Sequence, residues 1–298
     1  MNRIPVFYSD AQVHDAGSFS KSPLKPGLLV RKIALDPCFE VIDPVVSITA
    51  EELYLVHDDH HVDAVLSAEI EDGFGNRSLK SIDAIKHTVG NLVQSARFAV
   101  SSNPIVWSLT SGFHHAGHNF CGGYCTFDAL TLAAEELHRA RNLKTLIIDE
   151  DAHYGNGCVN IIAMRGMEDY CRYHQSSHTH GDPGAEGATG RYGRELNKLL
   201  DEFKPDLILY QAGADNWVGD PLGGSLTMQQ LYLRDLITFQ AASDRDIPVV
   251  VNLAGGYADH YDDTLTIHMN TGEAMKEIYL GQAGVPLYPI SAVVLENM

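Results

Sequence analysis

Three side chains that could bind a metal ion alternate along the segment beginning at Asp149. Asp149, Asp151 and His153 are each separated by one residue, and in extended backbone such positions point to the same side. Asp220, in the Gly-Asp-Pro turn of a later loop, offers a further carboxylate. Two carboxylates and an imidazole suit a divalent ion and leave one coordination position open for water. The spacing therefore predicts that Asp151, His153 and Asp220 hold an ion such as zinc.

A pair of adjacent histidines, His114 and His115, lies between two glycines that permit a sharply turned backbone. Imidazole exchanges protons near neutral pH, so the pair suits a base that activates water and an acid that protonates a leaving amine. Each ring needs a partner on its second nitrogen, and Asp149 and Asn156 are the candidates. These residue types together predict hydrolytic chemistry.

A tyrosine follows two glycines in the run Gly255–Tyr257. After such a turn the ring can project into a pocket, where its hydroxyl can donate to an oxygen that gains charge during acyl transfer. An aromatic ring packed beside a tight turn is the competing interpretation. Tyr257 is therefore a candidate catalytic residue because the predicted metal ligands and the histidine pair accompany it.

The elements that must position these clusters are short apolar runs that alternate with helix-length segments. This order predicts an α/β fold with a mainly parallel sheet and helices on both faces. Polar and glycine-rich residues follow four of the runs, at the carboxyl edge where open α/β sheets bind ligands. The predicted strands are Ile4–Tyr8, Ile105–Leu109, Thr145–Ile148, Leu207–Tyr210 and Val249–Leu253.

Helices are predicted from capping residues and from apolar side chains at three- and four-residue steps. Thr49 and Glu52 form a capping box that begins a helix at Ala50, whereas the segment from Ser18 to Gly27 is predicted as a loop. The remaining predicted helices cover His60–Ile70, the face from Ile82 to Ala99, Leu130–Arg141, Arg191–Phe203, Met228–Ser243 and Thr271–Leu280.

Composition limits the classes of function. The chain has 298 residues and 45% hydrophobic residues, so we expect one folded domain covering residues 1–298. The 21 Lys and Arg residues against 39 Asp and Glu residues, for a net charge of −18, argue against nucleic-acid binding. The five cysteines match no disulfide framework. With no signal-peptide pattern and no membrane-length apolar run, we expect a cytoplasmic protein without a membrane partner.

Four segments together resemble the signature motifs of the histone deacetylase family, which has an arginase-like α/β fold. They are SGFHHAGHNFCGGYC, IIDEDAHYGNG, YQAGADNWVGDPLGGSLT and AGGY, in the family's order. ITAEELYLVHDDHHVDAVLS is similar to the region that precedes them. The similarity extends from about Thr49 to Tyr257 and suits a class IV-like member or a bacterial homologue.

The resemblance implies zinc, or ferrous iron, on Asp151, His153 and Asp220. It also implies a structural potassium ion, which family members hold through the backbone at the positions matching Asp149, Asp151 and His153. An acyl-lysine peptide or protein, or another acylated amine, would be the substrate.

Further roles follow from the same resemblance. His115 would be the general base and acid, and His114, oriented by Asp149, would act electrostatically. Tyr257 would polarise the scissile carbonyl. The Gly123–Tyr124 pair would line the acyl-lysine tunnel, with tyrosine where the family usually has phenylalanine.

Two departures from the family pattern affect the details. Asn156 stands where the most familiar members have aspartate, and a neutral partner stabilises a charged imidazole less, so His115 is predicted to titrate lower. The segment from Tyr173 to Gly190 matches the family poorly and is predicted to form the tunnel rim. A metal site on His178 and His180 is the alternative to a solvated loop there.

The sequence predicts a zinc-dependent amidohydrolase that removes an acyl group, foremost acetyl, from a lysine side chain. Deacylation of acetylpolyamines or of long-chain acyl-lysine stays open, as does, less favoured, a catalytically silent module that binds acyl-lysine. Arginase-type ureohydrolases share the fold but use two metal ions. Here the later motif offers one obvious ligand, because Asp215 and Asp220 are too widely spaced for an Asp-x-Asp pair. The oligomeric state is left open.

Overall fold

The computed structural model describes residues 3–44, 46–176 and 185–287, without the side chains of residues 102 and 185–189. Within these ranges the strands form one sheet with seven members. They are β1 (Ile4–Phe7), β2 (Phe39–Ile42), β3 (Ile105–Ser108), β4 (Thr145–Asp149), β5 (Cys171–Gln175), β6 (Leu207–Gln211) and β7 (Val249–Asn252). The order is β2-β1-β3-β7-β6-β4-β5, and each neighbouring pair is parallel.

Helices cover both faces of this sheet. They are α1 (Lys25–Ile33), α2 (Ala50–Leu53), α3 (Asp59–Leu66), α4 (Leu79–Ser102), α5 (Ala129–Arg141), α6 (Asn156–Arg165), α7 (Ala185–Phe203), α8 (Met228–Ser243) and α9 (Tyr261–Leu280). A short 3₁₀ turn covers Asp10–Gln12. In the described part of the chain, none of these helices is both long and apolar enough to cross a membrane.

Two hydrophobic cores lie on opposite faces of the sheet. Side chains of α3 to α6 form one core, and those of α1 and α7 to α9 form the other. Along β4, Ile147 enters the first core and its neighbours Leu146 and Ile148 enter the second, because successive strand side chains point to opposite faces. Every residue of β4 is buried. The predicted fold class, a parallel sheet buried between helices, is confirmed.

The central strands and most predicted helices agree with the sequence analysis. Thr49 accepts the N–H of Glu52, and Glu52 in turn accepts the N–H of Thr49, so the predicted capping box forms. The predicted helix over Met228–Ser243 matches α8 at both ends. The last helix begins at Tyr261, earlier than predicted.

Four elements were not predicted: α1, β2, α6 and β5. The N-terminal residue of α6 is preceded by Gly155 without a side-chain cap, and β5 is an edge strand of mixed burial. Both elements therefore lack the usual sequence signals. The segment predicted as a rim loop begins within β5 and ends within α7. His178 and His180 lie outside the described residues.

Four adjacent strands, β3, β7, β6 and β4, carry the predicted clusters in the loops at their carboxyl ends. Parallel strands bring these ends to the same edge of the sheet. The sheet thus places segments that are far apart in the sequence around one point.

Candidate active site

The candidate metal-binding group consists of Asp151, His153 and Asp215, whose ligand atoms all lie within 4.8 Å of one another. His153 Nδ1 is 3.0 Å from Asp151 Oδ1 and 3.1 Å from Asp215 Oδ2. Gly255 closes the group, and a Cβ at this position would lie 2.3 Å from Asp215 Oδ2. Two buried carboxylates and one imidazole form a donor set that fits zinc or ferrous iron.

Asp220, which the sequence analysis placed in the ligand set, lies near this group, and burial and the charge of Asp151 raise the pKa of its carboxyl. Its carboxylate accepts the backbone N–H groups of Tyr257, at 2.6 Å, and of Leu222, at 3.0 Å. Among the described residues, the group that could hold an ion contains Asp215 instead. Both aspartates follow β6, and sequence spacing did not separate them. We therefore propose Asp215 as the third ligand and keep the predicted Asp220, which also accepts the N–H of Tyr257, as the alternative.

The charges of this group favour the binding of a cation between its side chains. Hydrogen bonds to Asp151 and Asp215 raise the pKa of His153 to about 10. Burial opposes ionisation of Asp151, but His114 and His153 nevertheless hold the pKa of its carboxyl far below the usual range. Burial and the Asp151 charge raise the pKa of Asp215. Such mutual repulsion between buried carboxylates is relieved by a cation.

Lys25 is a charged residue of this site that sequence reasoning missed. Its side chain is completely buried, and Nζ donates to the carbonyl oxygens of Ala254, at 2.7 Å, and Gly255, at 3.2 Å. Burial lowers the pKa of Lys25 to about 8, against the opposing influence of nearby carboxylates, foremost Asp215. A single lysine in a segment predicted as a loop gives no sequence signal for this position.

His114 is paired with a buried carboxylate. Its Nδ1 donates to Asp149 Oδ2 at 2.8 Å. The hydroxyl of Tyr173 donates to the same oxygen at 2.8 Å and accepts the N–H of Gly155 at 2.9 Å. Burial disfavours the charged ring, but Asp149 and Asp151 outweigh it and raise the pKa of His114 to about 9. The surrounding carboxylates therefore favour the charged form of His114.

His115 is paired with an amide. Its Nδ1 donates to Asn156 Oδ1 at 2.7 Å, and its ring centroid is 4.1 Å from that of His114. Burial and the charge of His114 lower the pKa of His115. Because an amide oxygen only accepts, this contact places the proton on Nδ1 and leaves the lone pair on Nε2. Gly123 packs against the ring so closely that a Cβ would lie 2.4 Å from His115 Cδ2.

Aromatic side chains surround the remaining sides of the pocket. The ring centroids of Tyr124 and Tyr257 are 6.0 Å apart, and that of His153 is 6.4 Å from Tyr257. Phe19, an exposed side chain of the segment predicted as a loop, stacks on Tyr257 at 6.4 Å. Burial raises the pKa of Tyr257, so its phenol stays protonated over the ordinary pH range.

The structure brings the sequence-predicted site residues together around one pocket. The predicted catalytic residues flank the metal-binding group, and the predicted substrate-binding pair borders His115 and Tyr257. Asp220 joins them, because its carboxylate accepts the backbone N–H of Tyr257 and is close enough to affect the pKa of Lys25. The residues concerned are His114, His115, Asp149, Asn156, Tyr257, Gly123, Tyr124, Asp151 and His153.

The model of the histone deacetylase domain matches residues 28–195 and 178–271 of the chain. The chain belongs to the histone deacetylase family. Histone deacetylase 2 of Arabidopsis thaliana is 30% identical over 199 residues, which cover 60% of this chain and 50% of the plant protein. An uncharacterized protein of Picosynechococcus sp. is 26% identical over 247 residues, covering 76% of this chain and 82% of its own.

The acetoin utilization protein AcuC of Staphylococcus aureus is 27% identical over 302 aligned positions, covering 84% of this chain and 76% of its own. The chain therefore spans half the length of the plant relative but most of the length of the two bacterial proteins. Family membership gives the coarse activity, that of a deacetylase-type hydrolase.

Proposed function

We propose that this protein is a zinc-dependent deacetylase that hydrolyses the amide of acetyl-lysine in a peptide or protein. The observation that carries the proposal is the convergence of three different groups on one pocket. These are the metal-binding group, a histidine with a free Nε2, and a protonated tyrosine. Each group supplies one requirement of amide hydrolysis by water.

Asp151, His153 and Asp215 are the residues that would hold the ion. Zinc, when bound, supplies a Lewis acid that polarises an amide carbonyl and lowers the pKa of water. Gly255 keeps the space beside the two carboxylates open, because any side chain there would collide with Asp215. The N–H of Gly255 donates to Asp151 Oδ2 at 2.7 Å and fixes the orientation of this carboxylate.

His115 transfers the proton in this mechanism. Its Nε2 accepts a proton from the attacking water and then donates it to the nitrogen of the leaving lysine. Asn156 fixes the tautomer that makes Nε2 the acceptor. Burial and the positive charge of His114 beside it lower the pKa of His115, which favours the neutral form of the base.

Tyr257 stabilises the oxygen that gains negative charge. Its hydroxyl donates to the carbonyl oxygen as the tetrahedral stage develops, a contribution typically worth a factor of about 10² to 10³ in rate. Asp220 holds the backbone N–H of Tyr257 at 2.6 Å and thereby sets the position of the ring. The stacked rings of Phe19 and Tyr257, with Tyr124 opposite, form an apolar entrance that suits the aliphatic stem of a lysine side chain.

The test compares hydrolysis of an acetyl-lysine peptide with that of longer acyl-lysine peptides and of acetylated polyamines. We expect acetyl-lysine to have the highest kcat/KM, with activity lost on chelation and restored by zinc or ferrous iron. Preference for a longer acyl chain or a polyamine would change the substrate class and leave the mechanism in place. Full metal content without turnover of any of these substrates would instead favour a silent binding module.

A pair of variants tests the choice between Asp215 and Asp220 as the third ligand. Asp215→Ala removes a proposed ligand, so we expect both bound metal and activity to be lost. Asp220→Ala removes the backbone acceptor that positions Tyr257, so we expect bound metal to be retained while kcat falls. Metal content, measured by elemental analysis of the purified proteins, decides between them. Loss of metal in Asp220→Ala with retention in Asp215→Ala would restore the original ligand set.

A further inference from the structure

The structure contains a protein donor at the place where the family resemblance predicts a potassium ion. That ion would be held by backbone carbonyl oxygens of the turn that follows β4. In this chain, Gln175 Nε2 donates to the carbonyl oxygen of Asp151 at 2.9 Å and to that of His153 at 3.0 Å. An amide NH₂ has two N–H donors, so one side chain can serve both oxygens. At two of the three positions named for the ion, Asp151 and His153, the carbonyl oxygen therefore already has a protein donor where potassium would bind.

The position of Gln175 follows from the register of the sheet. β5 is parallel to β4, and Gln175 is paired with Asp149, the last residue of β4. Because the turn carrying Asp151 and His153 begins immediately after Asp149, a side chain at the end of β5 can reach its carbonyl groups. A glutamine is long enough to do so and carries donors at its tip.

A further carbonyl group of the same turn is also occupied by side-chain donors. The carbonyl oxygen of Glu150 accepts Asn216 Nδ2 at 2.7 Å and Arg234 Nη1 at 3.2 Å. Arg234 is completely buried and forms an ion pair with Asp235 at 2.9 Å, which fixes the position of its guanidinium group. The carbonyl oxygens of Glu150, Asp151 and His153 thus all have protein donors.

We propose that Gln175 takes the place of a monovalent cation and makes the fold of the metal-binding turn independent of potassium. The partly positive amide hydrogens supply, at two carbonyl oxygens, the attraction that an ion would otherwise supply. Gln175 is a positioning residue: it orients the backbone that presents Asp151 and His153. The proposal concerns the folding of this turn, and its primary test does not depend on the proposed enzymatic activity.

The test is the thermal unfolding of the purified protein in potassium chloride and in choline chloride, each at about 0.1 M. For the wild type we expect the same Tm in both salts. Gln175→Ser shortens the side chain, frees both carbonyl oxygens and adds a hydroxyl oxygen. In choline chloride we expect the Tm of this variant to lie below that of the wild type. In potassium chloride we expect its Tm to be about 3 °C or more above its value in choline chloride, because ligand binding to the folded state stabilises it.

Two further variants serve as controls. Gln175→Met keeps the length of the side chain but removes its donors, so we expect a lowered Tm that does not respond to potassium. Gln240→Ser removes a similar amide from the exposed surface of α8, where it donates to Asp244. We expect this variant to have nearly the wild-type Tm in both salts.

Two results would overturn the proposal. One is a potassium-dependent rise in the wild-type Tm as large as that of Gln175→Ser, and the other is a Gln175→Ser variant without a potassium response. If Gln175→Ser does not fold in choline chloride, refolding is attempted in potassium chloride. Recovery of the folded protein supports the proposal that Gln175 takes the place of a cation, and failure in both salts contradicts it. The test measures unfolding and not activity. A wild-type protein that is inactive but has the same Tm in both salts would therefore contradict the proposed function alone.

Discussion

The two adjacent histidines of the pocket differ mainly in what holds their second nitrogen. His114 is buried and donates to the carboxylate of Asp149, whereas His115 is half-buried and donates to the amide oxygen of Asn156. The carboxylate raises the pKa of His114 to about 9. Burial and the neighbouring charge lower the pKa of His115. Two identical side chains thereby acquire different charges at the same pH.

This difference shows how one pocket separates an electrostatic role from a proton-transfer role. A charged imidazolium cannot accept a proton from water, so the raised pKa makes His114 the less suitable base. A neutral imidazole with a free Nε2 can accept one, and the nearby charge of His114 keeps His115 in that form. The partner residues, more than the histidines themselves, decide the assignment.

The largest expected effect comes from removing the base. His115→Ala should lower kcat by roughly 10²- to 10⁴-fold, the usual contribution of a general acid–base residue. Bound metal should stay at the wild-type level, because His115 is outside the metal-binding group. Steady-state kinetics and elemental analysis of the same preparation check both points. A rate close to wild type would move the role of base to His114.

A smaller effect is expected when the partner of His114 becomes neutral. Asp149→Asn removes the carboxylate that raises the pKa of His114, so His114 should be largely neutral at pH 7. The loss of its charge removes one cause of the lowered pKa of His115. We expect kcat to fall roughly 10- to 100-fold, at the lower end of acid–base contributions, and the acidic limb of the pH profile to move upward. NMR titration of the histidine ring signals measures both pKa values directly.

Replacing Asn156, the partner of His115, by aspartate gives both histidines a carboxylate partner. In Asn156→Asp, an anionic acceptor should raise the pKa of His115. The neutral, active form of His115 exists above its pKa, so activity at mildly acidic pH should fall while activity near pH 8 changes little. A pH profile of kcat/KM that does not shift would mean that another group controls the acidic limb. Asp at this position is compatible with the first turn of α6, since acidic side chains are favoured at helix N-termini.

The smallest effect is expected for Tyr173, whose hydroxyl donates a hydrogen bond to Asp149. Tyr173→Phe removes one of the two donors to Asp149 Oδ2 and leaves the N–H of Gly155 without its acceptor. We expect a few-fold loss of kcat and a free energy of unfolding lowered by about 1–2 kcal/mol. Urea denaturation and steady-state kinetics provide the two measurements. Unchanged kinetics with lowered stability would limit Tyr173 to a structural role.

Much of this site could be predicted because its chemistry is local in the sequence. The alternation of Asp149, Asp151 and His153 and the adjacency of two histidines are visible without a structure. The apolar runs before them predicted the central strands, and parallel strands bring their carboxyl ends to one edge. The same patterns offered Asn156 as a partner for one of the two histidines, the family resemblance paired it with His115, and the structure contains this pair.

The sequence by itself determined the fold class, the sheet edge and the kinds of residue that meet there, because apolar periodicity and motif spacing encode them directly. Only the tertiary structure showed that Asp215 lies within the candidate metal-binding group, and only it placed Lys25 and Gln175 at the site. The physical reason is that these contacts join distant segments. They depend on loop paths after β6, on the packing of α1 and on the register of β5 against β4, where a shift of one residue would turn Gln175 to the other face.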